Sequence, residues 1–204
     1  MRPALLRIPG IALAIALLFV GLPAPAQDDS LARATFAGGC FWCMEPPYDE
    51  VEGVIETISG FSGGHVVDPS YRQVVQGGTG HIEVVQVVYD PHKVSYEQLL
   101  DIYWPNVDPF DGGGQFCDRG ESYRPAIFVH DARQERLARE SLQSVAERFE
   151  QPVAVTIEDF EAFYPAEDYH QNYYQENSIR YKYYRWRCGR DERLEEVWGE
   201  QAGG

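Results

Sequence analysis

Positive charge is scarce in this chain. Seventeen Lys and Arg stand against thirty-two Asp and Glu, for a formal charge of −15. So acidic a protein lacks the field that holds nucleic acid or an anionic lipid surface, and neither is expected as a partner. Cysteine is scarce too. Four in 204 residues are too few for a disulfide scaffold, so the fold has to rest on a hydrophobic core. Long apolar runs are limited to Ile11–Val20, short of the ~20 residues of a membrane span. No internal repeat, low-complexity linker or composition break divides the chain. Gly112-Gly113-Gly114 has neither the spacing nor the following Lys of a phosphate cradle, which argues against nucleotide binding.

Residues 1–26 read as a secretory leader. Arg2 and Arg7 form its positive end, Ile11–Val20 its apolar run, and Ala24-Pro25-Ala26 a small-residue cleavage site. Removing it takes the charge to about −17 and leaves one domain, 27–204, long enough to bury a core. The expectation is an exported, periplasmic protein, with a membrane involved only if the leader is kept as an anchor. In such a compartment disulfides persist, so thiol chemistry needs reducing power from elsewhere.

Strands are expected at Leu31–Ala37, Val54–Phe61, His81–Tyr89, Arg124–His130 and Val153–Ile157. The valines at 84, 85, 87 and 88 make the third the strongest. Helices are expected at Pro47–Gly53, after the N-cap Ser95 as far as Pro105, and over Ala132–Phe149. Helices interspersed with a mixed sheet predict an α/β two-layer sandwich of the split β-α-β kind. The stretch after Tyr164 shows little regular pattern and is expected to wrap the sheet irregularly.

Thirteen Tyr, ten Phe and four Trp suit a pocket for an apolar side chain. The pocket's natural centre is Gly38-Gly39-Cys40-Phe41-Trp42-Cys43. Two glycines allow close backbone approach. Cys40 falls at a strand-to-helix turn, where unpaired N–H groups and the helix dipole favour a thiolate. Pro46 and Pro47 weaken that dipole if the helix begins only there. Cys40 reads as a nucleophile walled by Phe41 and Trp42. Cys43 completes a C-x-x-C, which leaves a redox disulfide, half a zinc site or a structural pair open. Glu83 opens the valine-rich strand and faces either solvent or the core. His81 reads as a packing or loop residue. Asp118 and Tyr123 sit just before a strand, and Glu167 or Asp168 with His170 could orient one another. Converging ligands are too few for a metal.

Together these segments resemble the A-type peptide methionine sulfoxide reductases. The resemblance is carried by Gly39-Cys40-Phe41-Trp42, Gly60-Phe61-Ser62-Gly63-Gly64, Gly78-Thr79-Gly80-His81-Ile82-Glu83-Val84-Val85, Tyr123-Arg124 and Pro165-Ala166-Glu167-Asp168-Tyr169-His170-Gln171, in family order. It implies a ferredoxin-like plait with a long irregular C-terminal wrap, and reduction of methionine-S-sulfoxide in oxidised proteins or peptides. By the same resemblance Cys40 attacks the sulfoxide sulfur and Glu83, held neutral by burial, donates a proton. Tyr71 and Tyr123 hydrogen-bond the oxygen, Asp118 supports them, and Phe41 and Trp42 hold the methyl group. Cys188 is the first choice of resolving thiol, ahead of Cys43 and Cys117. No cofactor is bound, and a thioredoxin-like dithiol is the reductant. The sequence departs from the family at Cys43, where a small residue is usual, and at Ser122 and Pro125. Two other functions stay open: a disulfide exchanger using Cys40 and Cys43, and a binding domain with structural cysteines.

Overall fold

The computed structural model describes residues 31–203; the leader read at 1–26 lies outside them. In chain order the elements are β1 (Ala32–Ala37), α1 (Pro46–Asp49), β2 (Val54–Ser62), α2 (Tyr71–Gln76), β3 (Ile82–Tyr89), α3 (Tyr96–Tyr103), β4 (Gly114–Gln115), β5 (Asp118–Arg119), β6 (Ala126–Val129), α4 (Ala132–Arg148), β7 (Thr156–Asp159), β8 (Phe163–Pro165), α5 (Tyr173–Glu176), α6 (Ser178–Arg187) and α7 (Arg190–Trp198). Six strands form a mixed sheet in the order β7-β6-β1-β3-β2-β8. Only the β6–β7 pair is parallel. Four of these strands, β6-β1-β3-β2, are antiparallel neighbours. β4 and β5 make a separate two-stranded ribbon.

Both sheet faces are covered, which is why β3 is buried at all eight positions and reads as an almost unbroken apolar run. Side chains alternate along a strand. Phe36 of β1, Val85 and Val87 of β3 and Ile127 of β6 share the larger core with Tyr48, Leu99, Tyr103 and Leu137 from the helices. Ala37, Ile82, Val84 and Phe128 form a smaller cluster with Phe160 and Phe163 on the other face. Glu83 has the parity of Val85 and Val87, so its carboxyl points into the larger core beside the helix layer.

Most predicted elements lie where the pattern put them, and the departures have physical causes. α1 is confined to Pro46–Asp49, with both prolines at its start. The β7 strand is displaced from Val153–Ile157 to Thr156–Asp159, because Val155 is drawn into the core before the chain joins the sheet. α2 was not expected. It is held by a Ser70–Gln73 capping box and buries only Val74, so it has no apolar periodicity to find. The tail is a correction: past Tyr173 it is helical, not irregular. Its buried positions do recur at helical spacing, Tyr181 and Arg185 in α6 and Arg190, Leu194 and Trp198 in α7. Two of the five are arginines, which hides the stripe from an apolar count. Gly189, at φ +66°, breaks the run between α6 and α7.

Candidate active site

Close approach explains the double glycine ahead of Cys40. A Cβ on Gly38 would sit 2.5 Å from the Met44 sulfur and 2.8 Å from Val107. One on Gly39, at φ +79°, would meet Gln115 at 2.6 Å. Cys40 then ends the loop leaving β1, and only one 3-10 turn, Phe41–Cys43, follows before α1. So short a turn carries little dipole. Its free Phe41 N–H is given to Glu83 Oε2 at 3.1 Å and not to the sulfur.

The expectation of an acidified Cys40 is therefore corrected. Burial drives its thiol well above the ordinary range, and hydrogen bonding to Cys43 adds to the shift. Cys43 is displaced the other way, to about 6, first because Cys40 hydrogen-bonds to it; Arg190 and Arg185 also help, against the effect of burial. The two sulfurs titrate as one pair, and their opposite shifts belong to the pair and not to either sulfur alone. Both are buried and neither is in a disulfide.

One cavity of about 100 Å³ opens at Cys40, lined by Phe41, Trp42, Tyr71, Glu83, Asp118, Tyr123 and Tyr184. It brings together every residue expected to act in the reductive step or to wall the pocket; the candidate resolving thiols Cys43, Cys117 and Cys188 do not line it. Its volume is well below the ~300–1,000 Å³ of ordinary ligand pockets, so it admits the tip of a side chain and no nucleotide. A larger hollow of about 580 Å³ runs along β2 and the tail past Thr57 and Gln171, but no cysteine lines it.

Glu83 is 1% exposed. Burial raises its pKa well above its ordinary value, more than the Phe41 N–H lowers it, which favours the neutral, protonated acid. Tyr71 and Tyr123 hydrogen-bond each other, and burial raises both, Tyr71 to about 12. They remain protonated donors. Asp118 is also raised by burial and accepts from the Tyr184 hydroxyl.

The C-terminal stretch orients these walls. Glu167 accepts the Tyr71 N–H at 3.1 Å, fixing the start of α2. His170, held neutral at a pKa of about 4 by burial, accepts from Trp42 Nε1 at 3.2 Å. Tyr173 stacks on Trp42 at 3.8 Å. Glu167 and His170 thus each position a different wall residue. Gln171 ties the stretch to β2 through both atoms of its amide, bonding Ser59 N and Ser59 O at 2.9 Å. His81 is a packing residue as expected, buried between Gly64 N and Val66 O.

Three functional neighbours escaped the sequence reading. Tyr184 lies in a tail with no flagged motif. Arg190, 1% exposed, bonds Gly38 O and Asn106 O and so braces the loop bearing Cys40. Glu45, fully buried, accepts from Ser59 Oγ at 2.8 Å and is pushed up to about 7 by burial. Its one signal was a carboxylate directly after Met44 in an otherwise buried turn.

The remaining cysteines, Cys117 and Cys188, form a disulfide, with Cα atoms 4.9 Å apart. Asp118 lies beside them, its Oδ2 3.9 Å from the Cys188 sulfur, so the bridge borders the wall of the Cys40 cavity. The group Cys117, Asp118 and Cys188 has metal-ligand types within 4.8 Å of one another, but two of its three donors are consumed by the bridge.

Comparison with known proteins agrees with this geometry. The family model described as Peptide methionine sulfoxide reductase matches residues 32–202. A Vibrio cholerae protein named Peptide methionine sulfoxide reductase MsrA/MsrB is 46% identical over 93% of the chain, which spans about half, 52%, of that relative's length. The Bacillus licheniformis Peptide methionine sulfoxide reductase MsrA is 49% identical, over 82% of this chain and 94% of that one. Mxr1 from Saccharomyces cerevisiae, solved in reduced form, superposes with a TM-score of 0.69 at 29% identity, over 74% of this chain and 88% of its own. With a thiol, a neutral acid and two phenols converging on one buried cavity, the chain belongs to the A-type peptide methionine sulfoxide reductase family.

Proposed function

We propose that this reductase converts methionine-S-sulfoxide in oxidised peptides and proteins to methionine, with Cys40 as nucleophile and Glu83 as proton donor. The observation that carries the reading is the shared cavity: the Cys40 thiol and a buried neutral carboxyl line the same hollow. Phe41 and Trp42 hold the methyl group, where sulfur–aromatic contact also helps. The Tyr71 and Tyr123 hydroxyls bond the sulfoxide oxygen, and Asp118 acts through Tyr184. As substrate enters, the proton that the two thiols share settles on Cys43, and Cys40 attacks the sulfoxide sulfur as the thiolate. Glu83 protonates the departing oxygen, since that oxygen leaves only if its developing charge is met. The bond between the two sulfurs then breaks as the oxygen passes, as hydroxide, to the Cys40 sulfur. The sulfoxide gains two electrons and leaves as methionine, Cys40 is left as a sulfenic acid and Glu83 as a carboxylate.

Cys188 then condenses with that sulfenic acid, releasing water and forming Cys40–Cys188. Cys117 attacks the Cys188 sulfur, forms Cys117–Cys188 and returns Cys40 as a thiol. The observed pairing, Cys117 with Cys188 and Cys40 unbridged, is the pairing this relay ends on. The Cys40–Cys43 hydrogen bond favours one competing route, a Cys40–Cys43 disulfide. An external thioredoxin-like dithiol reduces the final bridge. Mxr1 has been solved in complex with Trx2; that likeness, at 21% identity, concerns the fold. The β6-β1-β3-β2 order with intervening helices supports the ferredoxin-like plait as a description of the core. Export to the periplasm, for repair of oxidised proteins, is proposed on the leader pattern in residues 1–26.

The test is one turnover of prereduced enzyme with a methionine-S-sulfoxide peptide, followed by acid quench and disulfide mapping. Wild type is expected to form one methionine and end as Cys117–Cys188, and Cys117→Ser to stop at Cys40–Cys188. A Cys40–Cys43 bridge in that variant overturns the relay. Absence of methionine overturns the activity.

A further inference from the structure

Eight large apolar side chains are exposed among the described residues, and three of them share one helix. Ile179, Tyr183 and Trp186 of α6 are 84%, 59% and 73% exposed. Their spacing of four and then three residues puts them on one face, and the Tyr183 and Trp186 ring centroids are 6.0 Å apart. The fold has no use for this face, because α6 packs inward through Tyr181 and Arg185. Exposed Arg180, Lys182 and Arg187 flank it on a helix without a single acid, in a chain of charge −15. At the end of α6 is Cys188, bridged to the exposed Cys117. A hollow of about 520 Å³ opens over that bridge, lined by Cys117, Tyr183, Tyr184, Arg187 and Cys188. An apolar stripe with a cationic rim, leading to an accessible disulfide, has the make-up of an interaction surface.

We infer that the Ile179–Tyr183–Trp186 face of α6 is the docking surface for the protein dithiol that reduces Cys117–Cys188. This rests on the relay ending at that bridge. The partner presents an apolar rim around its own reactive cysteine and carries net negative charge. Its thiolate attacks the Cys117 sulfur, forming a mixed disulfide and breaking the Cys117–Cys188 bond. Cys188 leaves as a thiolate; the Cys117 N–H, 3.3 Å from the Cys188 sulfur, meets its charge, and it then takes up a proton. The partner's second thiol attacks its own half of the mixed disulfide and releases Cys117, leaving the partner oxidised by two electrons. An oxidised substrate protein fits the face less well, because its sulfoxide has to reach the separate Cys40 cavity, which shares only Tyr184 with this hollow. A second copy would set this cationic rim against itself.

The experiment compares full-length wild type with a Tyr183→Ser/Trp186→Ser double variant on two reductants, dithiothreitol and a thioredoxin kept reduced by its reductase and NADPH. The KM for thioredoxin is expected to rise tenfold or more in the variant, a loss of at least ~1.4 kcal/mol. Turnover on dithiothreitol and the KM for the sulfoxide peptide are expected to stay within twofold. Salt is expected to raise the wild-type KM for thioredoxin, and to do so less in Arg180→Glu/Lys182→Glu. Normal wild-type turnover on thioredoxin with an unchanged KM in the double variant overturns the docking face alone. So does an equal loss on dithiothreitol, which marks a structural role, or a raised KM for the peptide, which marks a substrate face. Wild-type turnover on dithiothreitol with none on thioredoxin overturns the reductant assignment itself.

Discussion

Replacing Glu83 by Gln keeps the shape of the side chain and an oxygen to accept the Phe41 N–H, now given to Oε2 at 3.1 Å. What it removes is an acid proton aimed into the Cys40 cavity. A positioned general acid is worth about 10²–10⁴ in rate, or ~3–5 kcal/mol of barrier. Methionine formation by prereduced Glu83→Gln enzyme in a single turnover should slow by that factor. Alkylation of Cys40 by iodoacetamide should continue, because that reaction needs no proton donor. The sign of the stability change is also fixed. Burial raises the Glu83 pKa well above 4.5 in the folded chain, so the native state keeps a proton that the unfolded chain sheds. Wild-type stability is full below about 4.5 and falls as pH rises through the folded pKa. Glu83→Gln should lose that dependence and melt relatively higher at alkaline pH. The rate of sulfoxide reduction in wild type should fall over the same limb. A Glu83→Gln enzyme forming methionine within about fivefold of the wild-type rate would refute the assignment.

Tyr71 and Tyr123 lie on one cavity and hydrogen-bond each other. Tyr71→Phe and Tyr123→Phe should each cost about tenfold in kcat/KM, and the double variant more than their product; a double variant no worse than either single variant would contradict two donors sharing one oxygen. Glu45 offers a cleaner stability test, because its pKa moves from 4.5 to about 7 through burial. That shift corresponds to ~3 kcal/mol lost as pH rises from 4.5 through 7. Glu45→Gln should flatten denaturant-unfolding midpoints over that window, and an unchanged slope would show that Glu45 is ionised when folded.

Ile82–Tyr89 was legible as an almost unbroken β-branched run, and Ala132–Arg148 because its apolar residues repeat at the helix period. Cys40 and its walls Phe41 and Trp42 were legible from the glycine-cysteine-aromatic run itself, whereas the roles of Glu83, Tyr71, Tyr123 and Asp118 were legible only through the resemblance. Taken alone, Glu83 read more readily as a solvent-facing residue than as a buried acid, because parity does not say which sheet faces are covered. Packing overruled two local expectations. The Cys40 turn is too short to acidify its sulfur, and its Phe41 N–H goes to Glu83. The C-terminal helices were hidden because Arg185 and Arg190 occupy inward positions where a pattern search expects Leu or Val. The Cys117–Cys188 pairing links residues 71 apart, and no local spacing announces such a contact.

The central claim is that Cys40 delivers electrons to a sulfoxide sulfur of one handedness inside this cavity. The most direct measurement is methionine release from separated S and R sulfoxide epimers of a capped methionine, with dithiothreitol as reductant, for wild type and Cys40→Ser. The S epimer should be consumed to completion by wild type, with the R epimer untouched and Cys40→Ser inactive on both. Consumption of both epimers at similar rates, or turnover of either by Cys40→Ser, would contradict the account.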